Sequence, residues 1–317
     1  MQATSPSEET ASLVALGRAL QACGYAFVTP TPATHARVNA RLSADHGRDL
    51  RDVFGWSRRF DEGALPPNVF TAIRTAGVLK RDGDAWRSLV RLSSLDGMLF
   101  LHSAYPTTDA DAVFFGPDTY RFALAIHREL ERPVTRAVDI GCGAGPGAIV
   151  IAHRYPQAEV FAVDINDAAL RLTRANAALA GVSVTAVNSD LLASVPGTFD
   201  LIVANPPYLV DPAARAYRHG GGALGADLSL RILDAAVDRL APGGTLLLYT
   251  GAAIMDGQDP LRMAAEHRLA SSDLRWSYRE MDPDVFGEEL EGGAYADCDR
   301  IAAVVLTARK PGEPTDA

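Results

Sequence analysis

The feature that most constrains the fold is a regular alternation of short apolar segments and amphipathic segments that begins near residue 134. It predicts strands at 137–140, 159–163, 182–187, 200–204 and 245–250, and helices at 148–155, 168–180, 229–240 and 261–269. Two last apolar segments, 274–278 and 301–308, have no long helix between them and predict an antiparallel pair at one edge. Strands that alternate with helices form a mostly parallel sheet covered on both faces. We therefore predict an α/β fold, a doubly wound sheet of seven strands, whose ligand binds at the carboxyl ends of the strands where the strand order reverses.

The first 110 residues show a different pattern. Apolar residues follow helical spacing over 11–60, with breaks at Pro30 and Pro32, and a further helix is predicted from Pro66–Pro67 to near Gly77. Strand-like segments at 86–92 and 97–103 predict a hairpin after these helices. The sequence thus predicts two domains, a smaller, mainly helical, winged-helix-like domain at 1–110 and the α/β domain at 111–317.

Composition and charge exclude several classes of protein. The net charge is −9, and residues 111–317 carry 18 basic and 28 acidic side chains against 12 and 11 in residues 1–110. An acidic chain is not drawn to phosphate backbones as a whole, and the arginines at 48, 51, 58 and 59 have acidic neighbours that favour a solvated face. The three cysteines are widely spaced and predict neither a disulfide framework nor a metal site, so we expect a protein of the reducing cytoplasm. No export signal and no apolar run of about 20 residues is present, so no membrane contact is expected.

A glycine-rich loop follows the first predicted strand of the α/β domain. Asp139 lies in that strand, and Gly141, Cys142, Gly143 and Gly145 form the loop. The glycines allow a tight turn and a close approach of the backbone to a ligand, and the helix that follows offers free N–H groups to an anionic group. Such loops occur in several nucleotide-binding folds, so this motif alone does not choose among them.

Acidic residues end the next two strands. Asp164, followed by Ile165, lies about 20 residues beyond the glycine loop, where a carboxylate can accept both hydroxyls of a ribose. Asp190, followed by Leu191, ends the third strand, where it could read an adenine amino group. A loop with these two acids predicts a site for an adenosine-containing molecule.

The tetrapeptide Asn205–Pro206–Pro207–Tyr208 ends the fourth strand. The two prolines fix φ and remove two N–H donors, so the Asn205 side-chain oxygen and the Pro206 carbonyl are left as a rigid pair of acceptors. Such a pair suits the two hydrogens of a planar –NH₂ group, on which Tyr208 could stack. The tetrapeptide therefore predicts a site for an amide or an aromatic amine.

These motifs, in this order, resemble the class I S-adenosylmethionine-dependent methyltransferases with an (Asn/Asp)-Pro-Pro-(aromatic) motif. That group includes protein glutamine N5-methyltransferases of the small-domain methyltransferase type, adenine N6-methyltransferases and guanine N2-methyltransferases. The resemblance covers about residues 112–308 and implies a Rossmann-like methyltransferase fold that uses S-adenosyl-L-methionine to methylate nitrogen. Residues 113–119 resemble the Phe-x-Pro-Arg-Pro-Glu-Thr stretch of the glutamine methyltransferases, without its arginine, and suggest Phe114 as a cofactor contact.

The resemblance assigns two sets of residues. Those expected to bind the cofactor are Phe114, Asp139, Gly141, Cys142, Gly143, Gly145, Asp164, Ile165, Asp190, Leu191 and Asn205. Those expected to hold the acceptor nitrogen are Asn205, Pro206, Pro207 and Tyr208. Residues 1–110 would then recognise the substrate or act as a lid, and the glycine-rich segment 217–224 is a candidate for a loop that closes over the substrate.

The sequence leaves the acceptor open. A protein glutamine side chain is favoured because of the acidic surface, ahead of a nucleic-acid base bound through residues 1–110 and of a small metabolite. A nicotinamide-dependent oxidoreductase would account for the glycine loop and Asp164 but not for the tetrapeptide. A winged-helix protein that only senses S-adenosylmethionine would account for both domains, and nothing in the sequence indicates the oligomeric state.

Overall fold

The computed structural model describes residues 8–41, 45–130, 132–215 and 217–312. Its helices are α1 Glu8–Ala22, α2 Pro32–Asn39, α3 Leu50–Phe54, α4 Pro67–Thr75, α5 Pro117–Glu129, α6 Pro146–Arg154, α7 Asp167–Ala180, α8 Asp227–Val237 and α9 Pro260–Leu269. Its strands are β1 Leu79–Asp82, β2 Ala85–Ser88, β3 Val90–Leu95, β4 Met98–Ser103, β5 Arg136–Ile140, β6 Glu159–Asp164, β7 Thr185–Asn188, β8 Phe199–Ala204, β9 Leu240–Ile254, β10 Arg275–Asp282 and β11 Arg300–Arg309.

A seven-stranded sheet forms the centre of the C-terminal part, in the order β10-β11-β9-β8-β5-β6-β7. Strands β5 to β9 are parallel, whereas β11 runs antiparallel to both β9 and β10. The fold-class prediction, including the antiparallel pair at one edge, is confirmed. The chain reverses direction across the sheet between β5 and β8, so the carboxyl ends of these two strands form the place where a ligand is expected.

Local sequence signals account for the ends of several helices. Helix α7 is capped at its N-terminus by Asn166, whose side-chain oxygen accepts a hydrogen bond from the Ala168 N–H at 2.9 Å, and it is followed by Gly181 in the left-handed conformation. Helix α9 is capped by Asp259, whose carboxylate accepts from the Arg262 N–H. These caps fix where each helix meets the sheet.

The structure corrects the predicted elements in three places. Helix α5 was not predicted, because the sequence of residues 113–119 indicated a cofactor contact and not the start of a helix. Strand β9 begins at Leu240, so the segment Pro242–Gly244 lies within this strand and does not end the preceding helix. The register between β9 and β8 is irregular at this segment. Helix α8 accordingly ends earlier than predicted, at Val237.

The N-terminal unit, which we define as residues 1–110, has the expected helices followed by antiparallel strands. It contains two hairpins rather than one, because β1 pairs with β2 and β3 pairs with β4. The predicted strand 86–92 is divided at Leu89, where the chain passes from one hairpin to the next. The helical prediction over 11–60 resolves into three separate helices, the second of which starts at Pro32 rather than being broken there.

One hydrophobic core joins the N-terminal unit to the sheet. Its buried members include residues of α1, such as Leu16, together with residues of α6 and β9. Helix α1 approaches α7 so closely that a Cβ at Gly17 would lie 2.5 Å from a Leu179 methyl carbon. The division of the chain at residue 110 remains a prediction, and the two parts are packed as one body.

A buried asparagine adds polar contacts to this packing. The Asn176 side chain of α7 accepts from the Leu101 N–H at 2.7 Å and donates to the Leu101 carbonyl at 2.9 Å. It also donates to the carbonyl of Ala144 in the glycine loop at 2.9 Å. The side chain is fully buried, so strand β4, helix α7 and the glycine loop are held by one amide.

No helix in the described residues is both long and apolar enough to span a bilayer.

Candidate active site

A cavity of about 210 Å³ lies at the carboxyl ends of β5, β6 and β8. The register aligns Ile140 with Val163 on one side and with Ala204 on the other, so the residues that follow these strands converge. The glycine loop, Asp164 and Asn205 all line the cavity. The topology therefore brings together three motifs that are spread over the segment 141–205 of the chain.

The glycine loop has the backbone conformation that the sequence predicts. Gly141, Gly143 and Gly145 have φ values of 68°, 54° and 85°, a region that side chains other than glycine rarely adopt. Gly141, Cys142 and Gly143 line the cavity. Gly145 lies behind the loop, where a Cβ would lie 2.8 Å from the Thr173 side chain. The first glycines thus face the ligand space, and the third permits close packing on α7.

Asp139 lies in β5, just before the glycine loop. Its carboxylate is 1% exposed and accepts a hydrogen bond from the Ala148 N–H at 3.0 Å, at the start of α6. Burial, with a smaller contribution from the Asp164 carboxylate, raises the pKa of Asp139 to about 7 against the opposing effect of hydrogen bonds from the backbone of α6. Asp139 borders the cavity, but its hydrogen bonds are to the helix, so its main visible role is to hold α6 against β5.

Asp164 is held with both of its oxygens oriented by the backbone. Oδ2 accepts from the Gly143 N–H and Oδ1 accepts from the Asn166 N–H, each at 2.9 Å. Burial raises the pKa of this carboxyl. Each oxygen retains a lone pair for a further donor, and Ile165, which is 64% exposed, lies beside it on the cavity wall. Both residues line the cavity, and their contact with a cofactor stays a prediction.

The structure does not bring Asp190 and Leu191 to this cavity. The Asp190 carboxylate is 67% exposed and forms an ion pair with Arg231 at 3.1 Å. Leu191 adopts a positive φ of 49° and packs against the hydrophobic cluster on the other side of the sheet. The turn after β7 therefore directs the acid away from the place where an adenine amino group was expected.

The tetrapeptide begins where β8 ends. Asn205, Pro206 and Pro207 line the cavity. Among the described residues, neither the Asn205 side chain nor the Pro206 carbonyl has a hydrogen-bond partner. Because proline has no backbone N–H, Pro206 and Pro207 cannot donate the hydrogen bonds that would close a turn at this point. Two oriented acceptors are thus left at the wall of a cavity.

Tyr208 is anchored inside the protein. Its hydroxyl donates to Asp118 Oδ2 at 2.7 Å, and the side chain is only 7% exposed. Tyr249 of β9 donates to Asp118 Oδ1, also at 2.7 Å, and Arg121 approaches the same carboxylate at 3.1 Å. Burial and the Asp118 charge raise the pKa of both tyrosines, so both hydroxyls stay protonated as donors. The Tyr208 ring also borders the cavity, and its stacking on an acceptor group stays a prediction.

Asp118 is a site residue that the sequence alone did not single out. It stands at the acid position of the segment 113–119, which matches the glutamine methyltransferase stretch only in part. It is 8% exposed and joins the start of α5 to the tetrapeptide. Its partners are 90 and 131 residues away in the chain, so no local pattern could reveal them.

Phe114 lines the cavity as predicted, whereas Phe115 is buried and stacks on His102. The Phe114 ring lies nearly parallel to that of Tyr217, with 6.0 Å between centroids and 15° between planes. Tyr217 belongs to the predicted closing loop and donates to the Thr107 carbonyl at 2.7 Å. One wall of the cavity is therefore aromatic and joins the loop to the N-terminal unit.

The remainder of that loop is packed against its surroundings. Arg218 forms an ion pair with Glu289, and His219 Nδ1 accepts from the Asp211 N–H at 3.2 Å. A Cβ at Gly220 would lie 2.7 Å from the Pro207 carbonyl. Tyr217 and Arg218 line the cavity, so the start of the 217–224 segment forms part of the cavity wall, and closure of this loop over a substrate stays a prediction.

Comparisons with known proteins show the fold of this chain and its family. A crystal structure of wild-type Trm5b from Pyrococcus abyssi superposes with a TM-score of 0.50 at 16% identity, over 73% of this chain and 62% of that chain. This likeness confirms the fold. Residues 123–255, which include the glycine loop and the tetrapeptide, match the family described as "Methyltransferase small domain".

Relatives with known activities narrow this class to a family. The release factor glutamine methyltransferase of Deinococcus radiodurans is 36% identical over 263 residues, which are 74% of this chain and 89% of that protein. A ribosomal protein uL3 glutamine methyltransferase of Neisseria meningitidis is 36% identical over 135 residues, 39% of this chain and 45% of that protein. The chain belongs to the family of S-adenosylmethionine-dependent methyltransferases that includes the release factor glutamine methyltransferases.

Proposed function

We propose that this protein transfers a methyl group from S-adenosyl-L-methionine to the amide nitrogen of a glutamine side chain in another protein. The observation that carries the proposal is the pair of acceptors formed by Asn205 and Pro206, which have no partners in the described chain and face the cavity beside the glycine loop. The names of the two relatives, both glutamine methyltransferases of translation proteins, support a protein acceptor.

The residues around the glycine loop fit the cofactor. Gly141 and Gly143 leave the cavity side free of Cβ atoms, with no more than one side-chain atom within 4 Å of the place a Cβ would take. Asp164 presents a carboxylate whose lone pairs suit two ribose hydroxyls, and Ile165 and Phe114 offer apolar surface for a base. When bound, S-adenosylmethionine supplies a methyl group on a positively charged sulfur.

The tetrapeptide would overcome the low reactivity of an amide nitrogen. The lone pair of that nitrogen is delocalised into the carbonyl group, which makes it a weak nucleophile. Hydrogen bonds from its two hydrogens to the Asn205 oxygen and the Pro206 carbonyl would hold the nitrogen in one orientation and stabilise the positive charge that develops on it. The product amide carries a methyl group in place of one hydrogen, which leaves as a proton.

The anchoring of Tyr208 supports the same role. Because Asp118 holds the Tyr208 hydroxyl from the protein interior, the peptide bonds on either side of Pro207 are fixed in space. The geometry of the acceptor pair then does not depend on the substrate to form it, which lowers the entropy lost on reaching the transition state.

The N-terminal unit is the proposed recognition surface for the acceptor protein. Pro32 and Thr107 contribute to the cavity wall, so this unit borders the place where an acceptor chain would enter. Three of its arginines are engaged by acids, in the pairs Arg58–Asp52, Arg59–Asp84 and Arg87–Asp82. Phosphate groups would have to compete with these carboxylates, which favours a protein acceptor over a nucleic acid.

Methyl transfer from labelled S-adenosylmethionine into a fractionated bacterial extract tests the proposal. We expect label that protease removes and nuclease does not, with loss of the label in the Asn205→Ala variant. Asn188→Ala is the matched control, because Asn188 is an exposed asparagine that ends strand β7 of the same sheet outside the cavity. Label that nuclease removes, or label confined to the small-molecule fraction, would contradict a protein acceptor.

A further inference from the structure

A second, smaller cavity adjoins the active-site cavity on the side of the N-terminal unit. Pro32, Thr107 and Phe114 line both cavities, so the two spaces share a wall. The inner walls of the smaller one include Arg91 from β3 and His35 from α2. Its volume is about 10 Å³, which admits a single small polar group.

Arg91 is a buried cation without a counter-ion in the described chain. The residue is 5% exposed, and its Nε–H has no hydrogen-bond partner among the described residues. The ionisable groups that act on it are the tyrosines Tyr25, Tyr120 and Tyr105, not carboxylates. Burial lowers the pKa of Arg91 to about 10, so the guanidinium still carries its charge at neutral pH.

The hydrogen bonds that Arg91 does form lead only to neutral groups. Its Nη2 donates to Thr29 Oγ1 at 3.4 Å. The Thr29 hydroxyl is in turn hydrogen-bonded to the Ser93 hydroxyl. Ser93 Oγ in turn lies 2.7 Å from His102 Nε2. Burial lowers the pKa of His102 well below its usual value, so this imidazole is neutral. The chain of hydrogen bonds therefore ends without a negative charge.

His35 provides a second unpartnered atom in the same small cavity. Its Nε2 lies 2.8 Å from the Trp56 carbonyl and 3.0 Å from Asn39 Nδ2. Because the carbonyl can only accept, and Asn39 Nδ2 also donates to it at 2.8 Å, we assign the hydrogen of His35 to Nε2 and leave Nδ1 as an acceptor. Nδ1 has no partner among the described residues. Burial, and next the Arg91 charge, lower the pKa of His35 to about 4, so it adds no positive charge at neutral pH.

We propose that Arg91 and His35 form a subsite for the carboxylate of an amino-acid unit whose remaining atoms lie in the active-site cavity. The carboxylate would take the free Nε–H and balance the guanidinium charge, because a buried charge is strongly stabilised by a hydrogen-bonded partner of opposite sign. The neutral His35 Nδ1 would accept from an N–H next to that carboxylate. The small cavity has room for about one water-sized group. One carboxylate oxygen would therefore enter it, and the rest of the group would lie toward the larger cavity.

Two molecules of the proposed reaction carry such a unit, and in this respect the inference rests on the proposed function. One is the methionine end of the cofactor, and the other is an acidic residue of the acceptor protein. Both present the same chemistry to Arg91, so the test has to separate them.

The signal of the Arg91 Nε–H in ¹⁵N-labelled wild-type protein is a direct probe of the subsite. It is assigned by its disappearance in the Arg91→Lys variant, which keeps the positive charge. The labelled protein is titrated separately with S-adenosylhomocysteine, which has the methionine-type carboxylate, and with 5′-methylthioadenosine, which lacks it. Sodium acetate is then added to the S-adenosylhomocysteine complex as a stand-in for an acidic side chain.

If the carboxylate belongs to the cofactor, S-adenosylhomocysteine shifts the Arg91 signal and 5′-methylthioadenosine does not. The Arg91→Gln variant then binds S-adenosylhomocysteine about 10- to 100-fold more weakly, as expected for loss of a hydrogen bond to a charged group. Its affinity for 5′-methylthioadenosine stays unchanged. Arg81→Gln is the matched control, because Arg81 is exposed on β1 of the same unit.

If the carboxylate belongs to the acceptor, neither nucleoside moves the signal, and acetate shifts it in a saturable way. The proposal is overturned if both nucleosides shift the signal equally, or if neither they nor acetate shift it. A wild-type protein that binds neither nucleoside would refute the proposed function instead, and the acetate titration would still test the subsite.

Discussion

Replacement of Asp118 by alanine tests whether the carboxylate at the start of α5 holds the tetrapeptide. The change removes the acceptors of the Tyr208 and Tyr249 hydroxyls, each donating at 2.7 Å. Tyr249 is 0% exposed and Tyr208 is 7% exposed, so water cannot replace the lost partner without entering the core. Arg121 loses one partner as well, but it keeps its ion pair with Asp282.

The magnitude follows from the two buried hydroxyls. A hydrogen bond to a charged acceptor contributes about 1.5–3 kcal/mol, so loss of both predicts a decrease of about 3–6 kcal/mol in the free energy of unfolding. That is a large part of the ~5–15 kcal/mol that stabilises an ordinary domain. Asp118→Asn keeps the shape and one acceptor, and should lose about half as much.

Urea unfolding followed by circular dichroism measures this loss, provided that the slope with urea is the same in each variant. Asp282→Ala is the matched control, because it removes the other partner of Arg121 at the surface and should cost no more than about 1 kcal/mol. A loss in Asp118→Ala that does not exceed the loss in Asp282→Ala would refute the argument that this carboxylate anchors the two tyrosines.

Three further predictions concern the cavity. Asn205→Ala should lower kcat about 100- to 1000-fold, as for loss of one transition-state hydrogen bond, and leave the calorimetric Kd of S-adenosylhomocysteine within about threefold; a large loss of nucleoside affinity would contradict the assigned role. Gly145→Ala should weaken nucleoside binding at least about tenfold, because the new Cβ would lie 2.8 Å from the Thr173 side chain. Gly181→Ala is the control, because Gly181 has a similar positive φ but no atom within 4 Å of the place a Cβ would take. It should lower the free energy of unfolding by only about 1 kcal/mol and leave nucleoside binding unchanged. The pKa of Asp139 is about 7 in the folded protein, against 3.8 for an ordinary aspartate. Between these two pH values Asp139 is ionised in the unfolded chain but protonated in the folded one, so the free energy of unfolding should fall as pH rises from about 4 to about 7. Urea titrations of ligand-free protein should show this fall in the wild type and a smaller fall in Asp139→Asn.

The sheet and its ligand-binding edge were predictable because their signals are local. Apolar strands, a glycine loop and a proline pair each depend on a few neighbouring residues, and the rules for parallel sheets then place their ends side by side. The convergence of Gly141, Asp164 and Asn205 on one cavity therefore follows from the sequence.

The parts that were not predicted depend on contacts between distant residues. Asp190 follows its strand as expected, yet the turn at Leu191 and the attraction of Arg231 direct its carboxylate outward. The anchoring of Tyr208 requires Asp118 from a helix that the sequence did not indicate. A motif thus located the site, but the orientation of each side chain was decided by partners that lie far away in the chain.

The single amide of Asn176 has a consequence for the exchange of recognition modules among relatives. The Asn176 amide hydrogen-bonds both the Leu101 backbone and the Ala144 carbonyl. A different N-terminal module would remove the Leu101 backbone and leave the amide with unpaired polar atoms in the interior of the protein. Such a chimera would lose stability next to the loop that holds the cofactor, even if the new module folded perfectly. Residue 176 and the β3–β4 hairpin therefore have to be inherited together, and specificity in such a protein should change by surface substitution rather than by replacement of the module.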